Sequence, residues 1–313
     1  MAWVAVTCPQ CGAPLPRVAL WRSVKCGSCN SLINKAEDLV KRDSFRQALI
    51  RARREFAGLD SVVCGGAAFQ LLQHLGTGDV SEVYLARRLD PLPLLATVKL
   101  SSASKAASLY TREADVAREL QRLDADGAGA YFSKLLPEVM SQGAVEGSPG
   151  KQCLVLRHPT GFWGSLAALN DRLASGLDPR HAVWIWRRML EVLNFVHRQG
   201  WCHGDIRPEH ALVHPADHGV RLIGWSEARK DAGEAARGAD FCRSARVVQV
   251  LLCGAGGSGA LPAQVPEGLA RLINQAATDE VFCRAQGAEG LDSLLRAEAK
   301  AAFGPPTFVP LHI

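Results

Sequence analysis

Two sets of residues in this chain have the types and the spacing to do chemistry. The first is Cys8, Cys11, Cys26 and Cys29, two CxxC pairs with fourteen residues between them. A CxxC turn lets main-chain amides wrap a thiolate pair, so that four sulfurs can close a tetrahedron around Zn²⁺ with no open position. So short a segment buries too little apolar surface to fold alone. A structural metal, worth about 10–16 kcal/mol in small zinc peptides, would fold it. The second set is scattered. Gly76 and Gly78 stand in "LGTGDVSEVYLAR", where a hairpin with so little side chain lets the backbone approach phosphates. Lys99 lies in "ATVKL" among apolar neighbours, where a lysine needs an anion, either a phosphate, a carboxylate or both. Glu113 follows on a helix from which it could reach Lys99. After a long helix, "WCHGDIRPEHALV" gathers His203, Asp205, Arg207, Glu209 and His210.

Elements of two kinds must position these groups. Short strands are predicted near 68–75, 81–88, 94–100, 137–145 and 152–157, with a helix near 107–123. A long helix over 179–198, closed by Gly200, is followed by short strands near 211–213 and 220–223 and by helices near 239–253, 266–277 and 288–299. Strands first and helices later imply an α+β, two-lobed domain. The chain divides into a zinc ribbon (1–36), a basic amphipathic linker helix (37–66), the two-lobed domain (67–303, small lobe 67–156, large lobe 157–303) and a tail (304–313). In the linker, Phe45, Ala48, Leu49, Ala52 and Phe56 share one face, and Arg46, Arg53 and Arg54 stand opposite. A cationic solvated face is the usual role of such arginines. Nucleic acid stays open as a partner, although no interleaved aromatics support it.

The 313 residues are 48% hydrophobic, typical of a packed globular protein, and the net charge of +5 favours no partner class by itself. "MAWVAVT" lacks a basic flank and a sustained apolar core, and no window is long enough to span a membrane. A cytoplasmic protein with no membrane partner is the expectation. Cys64, Cys153, Cys202, Cys242, Cys253 and Cys283 are scattered through apolar context and read as buried free thiols.

The ordered series of glycine loop, strand lysine, helix glutamate and aspartate loop resembles the protein kinase family over roughly 67–303. The resemblance implies a bilobal fold, with Gly76 and Gly78 in the phosphate loop and Ser81 at its third glycine. Val83 would cover an adenine ring, Lys99 would position phosphates and Glu113 would hold Lys99. Leu156 to His158 would form the hinge whose backbone bonds an adenine. Asp205 takes the place of the catalytic aspartate, with Gly204 for the usual arginine and Arg207 for the usual lysine.

The two metal positions depart from the pattern. His210 stands where an asparagine binds Mg²⁺, and Gly224 stands where the aspartate of a DFG turn belongs. Mg²⁺ wants oxygen ligands, so an imidazole substitutes poorly and a glycine offers no side chain. About fifteen residues separate Gly224 from Asp240, too few for a usual peptide-docking segment. Glu227 or Asp217 would have to swing in to rescue the metal. A metal cluster of His203, His210, His214 and His218 is the less economical alternative. The implied function is that of a pseudokinase, a regulatory or scaffolding protein-binding module of signalling type, with ATP as an open ligand and an unidentified protein as partner. Two rivals remain: an active Ser/Thr kinase with atypical metal ligation, and a nucleic-acid-associated regulator anchored by the ribbon. Trp225 is expected to fill space that the metal turn would need.

Overall fold

The structure is a computed structural model that describes residues 59–88, 94–123, 129–216, 219–255 and 260–313, together with two short strands nearer the N-terminus. Those strands, β1 (Val24–Lys25) and β2 (Leu32–Ile33), pair antiparallel with Val24 opposite Ile33. The four cysteines of the expected ribbon and the basic helix over 42–56 lie outside the described residues.

The small lobe is an antiparallel sheet of six strands. They are β3 (Ser61–Cys64), β4 (Ala67–Thr77), β5 (Glu82–Arg88), β6 (Leu94–Ser101), β7 (Val139–Ala144) and β8 (Gln152–Arg157), in the order β3-β4-β5-β6-β8-β7. Helix α1 (Ala106–Leu120) packs on β7 and β8. Alternation along β6 buries Ala96, Val98 and Leu100 against Phe69, Ala86 and Val155. The opposite face of β6 carries Lys99. The sheet begins at Ser61, inside the segment assigned from sequence to the linker, because Val62 and Cys64 enter this core.

Cys64 and Cys153 are joined by a disulfide, which corrects their reading as free thiols. They are 89 residues apart, and no local pattern announces their meeting. The edge strand β3 curls over β7, where Glu146 N donates to Val63 O at 2.9 Å. Among the other four, Cys202, Cys242 and Cys283 are buried free thiols and Cys253 is half-buried. Burial raises Cys202 to about 11 and Cys283 to about 12, so both stay protonated.

The large lobe is helical: α2 (Leu166–Arg172), α3 (Pro179–Arg198), α4 (Gly233–Cys253), α5 (Glu267–Thr278) and α6 (Glu280–Phe303). Helix α3 shows why the sequence was legible. Asp178 accepts from Arg180 N at 2.8 Å, Pro179 opens the helix, and Ala182, Ile185, Trp186, Met189, Leu193 and Val196 make one buried stripe. Gly200, at φ +83°, then turns the chain out of the helix. Trp186 lies wholly buried, its indole N–H donating to Ser244 Oγ at 2.9 Å. Helix α6 is longer than expected and is interrupted at Gly287 (φ 61°). The tail is not free of the fold, since Leu311 is buried in the large-lobe core. Among the described residues no helix is long and apolar enough to cross a membrane.

Candidate functional site

The small-lobe half of the site is built on β5, β6 and α1. Val83 of β5 stands opposite Lys99 of β6, and Leu154 of β8 flanks Lys99 on the other side. Lys99 Nζ donates to both carboxylate oxygens of Glu113, at 2.7 and 2.8 Å. Glu113 is 3% exposed. It is there because Tyr110, Glu113, Ala114 and Ala117 recur at helical spacing on the buried face of α1. The structure therefore joins the lysine and the glutamate that the sequence paired only by order.

The glycine loop is tight. Gly76 pairs with Val83, and Gly78 N donates to Ser81 O at 2.7 Å, leaving Asp79 and Val80 at the tip. Tyr110 Oη donates to Ser81 Oγ at 2.7 Å, fastening the loop to α1. Burial pushes the Tyr110 phenol above its ordinary range. At the lobe junction Leu156 is buried between Thr97 and Val139. Arg157 N donates to Glu138 O at 2.8 Å, and His158 N donates to Leu95 O at 3.1 Å. The Thr97 hydroxyl lies 3.0 Å from His158 Nδ1, and burial holds that imidazole below its usual range.

The large-lobe half is carried by short strands: β9 (Gly164–Ser165), β10 (Trp201–Cys202), β11 (Ala211–His214), β12 (Gly219–Leu222) and β13 (Arg229–Lys230). The loop between β10 and β11 carries His203 to His210 and hangs from Asp240 of α4. Asp240 is fully buried and accepts from His203 N at 2.7 Å, Gly204 N at 2.9 Å and His197 Nε2 at 3.0 Å. Burial alone would raise its carboxyl, but these donors together hold it below the usual carboxylate range. His203 is also fully buried. Its Nε2 donates to Ile223 O at 2.9 Å and its Nδ1 accepts from Asp205 N at 3.2 Å. Desolvation pushes its pKa down to about 4, so the ring is neutral.

Asp205 emerges from this scaffold with Oδ2 at 3.2 Å from His210 Nδ1 and 3.4 Å from Arg207 Nε. Burial lowers the His210 pKa as well. Its Nδ1–H donates to the main-chain oxygen of Asp205 at 2.9 Å, leaving Nε2 to accept from Arg207 Nη2 at 3.3 Å. Arg207 Nη2 also reaches Asp79 Oδ2 of the glycine loop at 3.4 Å. An ion pair between the lobes thus spans the mouth of the cleft.

Gly224 has φ +76° and ψ +49°. A Cβ built on it would stand 2.6 Å from His210 Cδ2 and Nε2. The imidazole at one metal position therefore fills the space that a side chain at the other would need. Trp225 is wholly buried beside them, its ring centroid 4.4 Å from that of His203 and its indole donating to Leu222 O at 3.0 Å. These residues do not fit Mg²⁺. Glu227 is exposed, with its carbonyl against Gly204, and offers no substitute, while Asp217 lies outside the described residues. Among the described residues His203, His210 and His214 form no metal cluster. His203 and His210 are 6.1 Å apart by ring centroid, His214 packs on Phe162, and His218 lies outside the described residues.

The segment after Gly224 is cut short. Helix α4 begins at Gly233, not at 239, so Asp240 lies well inside it. Between them β13 pairs with β10, and two tethers bind the segment to α1. Arg112 Nη2 donates to Ala228 O at 2.9 Å, and Lys230 Nζ lies 3.3 Å from Glu119 Oε2. Sequence reasoning missed Asp240 as the anchor of the aspartate loop, and missed Tyr110 and Asp79 altogether. An acid seven residues into a helix carries no signal of which loop it will support. Among the described residues His197, Cys202 and Asp240 bring their ligand atoms within 4.8 Å of one another. Asp240 is occupied by its three donors and the Cys202 thiol is held protonated, so the group is a structural clasp.

The arrangement can hold an anion at Lys99 and can offer Asp205 as a proton acceptor. No protein-family profile matches the chain. In sequence it is 30% identical over 166 residues to the Ser/Thr protein kinase PknD of Mycobacterium tuberculosis, covering 53% of this chain and 23% of that protein. It is 26% identical over 204 residues to PknJ of the same organism, covering 62% and 31%. Protein kinase PVPK-1 of Phaseolus vulgaris is 29% identical over 152 residues, covering 48% and 23%. The chain thus spans under a third of the length of these relatives. Among solved structures, the PknI kinase domain of Mycobacterium tuberculosis superposes with a TM-score of 0.53 at 18% identity, covering 76% of this chain and 98% of that one.

Proposed function

Because this chain has a protein-kinase-like fold and is related in sequence to Ser/Thr protein kinases, we propose that it is a pseudokinase, a regulatory or scaffolding module that works by binding a protein partner. The observation that carries this reading is the His210 ring seated against Gly224. Phosphoryl transfer is mostly positioning plus neutralisation of developing charge by metal ions. Here the two positions that would ligate the metal have been converted into one packed contact. Restoring an acid at 224 would clash with His210, so the loss involves both residues at once.

The test is transfer of labelled phosphate to the chain itself and to generic acceptors with Mg²⁺ or Mn²⁺. The expected result is none above background. Transfer that disappears in Asp205→Ala would sink the proposal in favour of an active Ser/Thr kinase, a second reading favoured by the intact Lys99–Glu113 pair. Cys8, Cys11, Cys26 and Cys29 are proposed to hold one structural Zn²⁺, and the chain between β1 and β2 carries Cys26 and Cys29. About one zinc per chain by metal analysis is expected, and its absence from a folded sample would overturn that assignment. A cytoplasmic location belongs to the same reading.

A further inference from the structure

The junction between the lobes carries an inference that rests on the pseudokinase reading and sharpens it: we propose that Pro159 makes the cleft unable to recognise a purine, independently of the lost metal site. The Watson–Crick edge of adenine sets an acceptor, N1, beside a donor, the N6 amine. A backbone segment reads that edge only with a free N–H beside a free carbonyl. Along 157–159 the N–H groups are spent or missing. Arg157 N donates to Glu138 O and His158 N to Leu95 O, so β8 stays bonded on both sides up to the point where it leaves the sheet. The next residue is Pro159, which is buried and has no N–H. Adenine N1 placed here would be desolvated without a donor, a loss that stacking alone does not offset.

The other groups that would face a nucleotide are similarly engaged within the chain. Gly78 N is bonded to Ser81 O, Ser81 is fastened to Tyr110, and Lys99 is held by both oxygens of Glu113. Asp79 and Asp205 present carboxylates to the space that an unneutralised triphosphate would enter, with Arg207 lying between them. These contacts are complete without a nucleotide.

The test uses the 313-residue chain with adenosine, ATP and inorganic tripolyphosphate as probes, each with and without Mg²⁺, read by thermal shift and by a fluorescent adenosine analogue. For wild type the expected result is no saturable adenosine or ATP binding and no shift, where a site at a hundredfold excess over Kd would give about 5 °C or more. Saturable adenosine binding to wild type overturns the proposal. Binding of ATP without phosphate transfer overturns it while leaving the pseudokinase reading intact, and transfer overturns both. Pro159→Val restores a main-chain donor and is expected to make adenosine binding measurable, about tenfold or more above wild type, the cost of leaving one buried polar group unpaired. A folded Pro159→Val chain, with an unchanged melting temperature and no gain, overturns the assignment to Pro159.

Discussion

The two halves of the cleft have fared differently. In the small lobe the Lys99–Glu113 pair is intact, bidentate and enclosed. In the large lobe the corner where a metal would be expected is packed with His210, Gly224 and Trp225. The two halves are held by different means. A buried ion pair cannot lose one member without stranding the other, so packing alone preserves it. A side chain on the cleft wall has no such partner to strand, and there an imidazole against a glycine satisfies the space.

That contrast can be broken in several places. Asp240→Ala should have the largest effect, about 3–5 kcal/mol of stability, because it strands two buried amides and His197 under the aspartate loop. Denaturant unfolding of the full chain measures it, and a loss under about 1 kcal/mol would mean that the loop is held otherwise. Lys99→Met should cost about 3 kcal/mol by leaving the Glu113 carboxylate unpaired, whereas Lys99→Met with Glu113→Leu should recover most of it. Failure of the double variant to recover would show that the pair persists for more than packing.

Gly224→Ala should cost about 1–3 kcal/mol, since the backbone there is held at a positive φ that a Cβ disfavours and the Cβ meets His210. Combined with His210→Ala it should cost less than the sum, with a coupling of about 0.5 kcal/mol or more in a double-mutant cycle. Strict additivity would separate the two positions and remove the basis of the proposed function. The gentlest probe is pH. His203 has a folded pKa of about 4 against an ordinary 6.5, so it supports folding only while neutral. Its contribution is complete above 6.5 and is lost as pH falls toward about 4, because the unfolded chain takes the proton first. His203→Gln, which keeps a side-chain amide donor for Ile223 O, should flatten that slope in denaturant midpoints measured across the window.

Much of the fold was legible because its signals are local. The stripe of α3 with Asp178 and Pro179 at its start, and the alternation of β6, follow from burial at periods of 3.6 and 2. Cys64–Cys153 was illegible because a disulfide between distant strands depends on how the sheet curls. The early start of α4 was hidden by a run of small and charged residues with no capping side chain. In the site, Lys99, Glu113, Asp205 and the two altered metal positions could be named from order alone.

Residue order alone carries the succession of elements, the candidate chemistry of Lys99 and Asp205, and the residue types at 210 and 224, neither of which offers an oxygen side chain. Those depend on residue type and local periodicity, which a chain carries wherever it folds. Packing in three dimensions sets His210 in the space denied to a side chain at 224, suspends the aspartate loop from Asp240, and brings Arg207 to Asp79 across the lobes. Each is a contact between segments far apart in sequence, and close packing, which no local pattern encodes, is what brings them together.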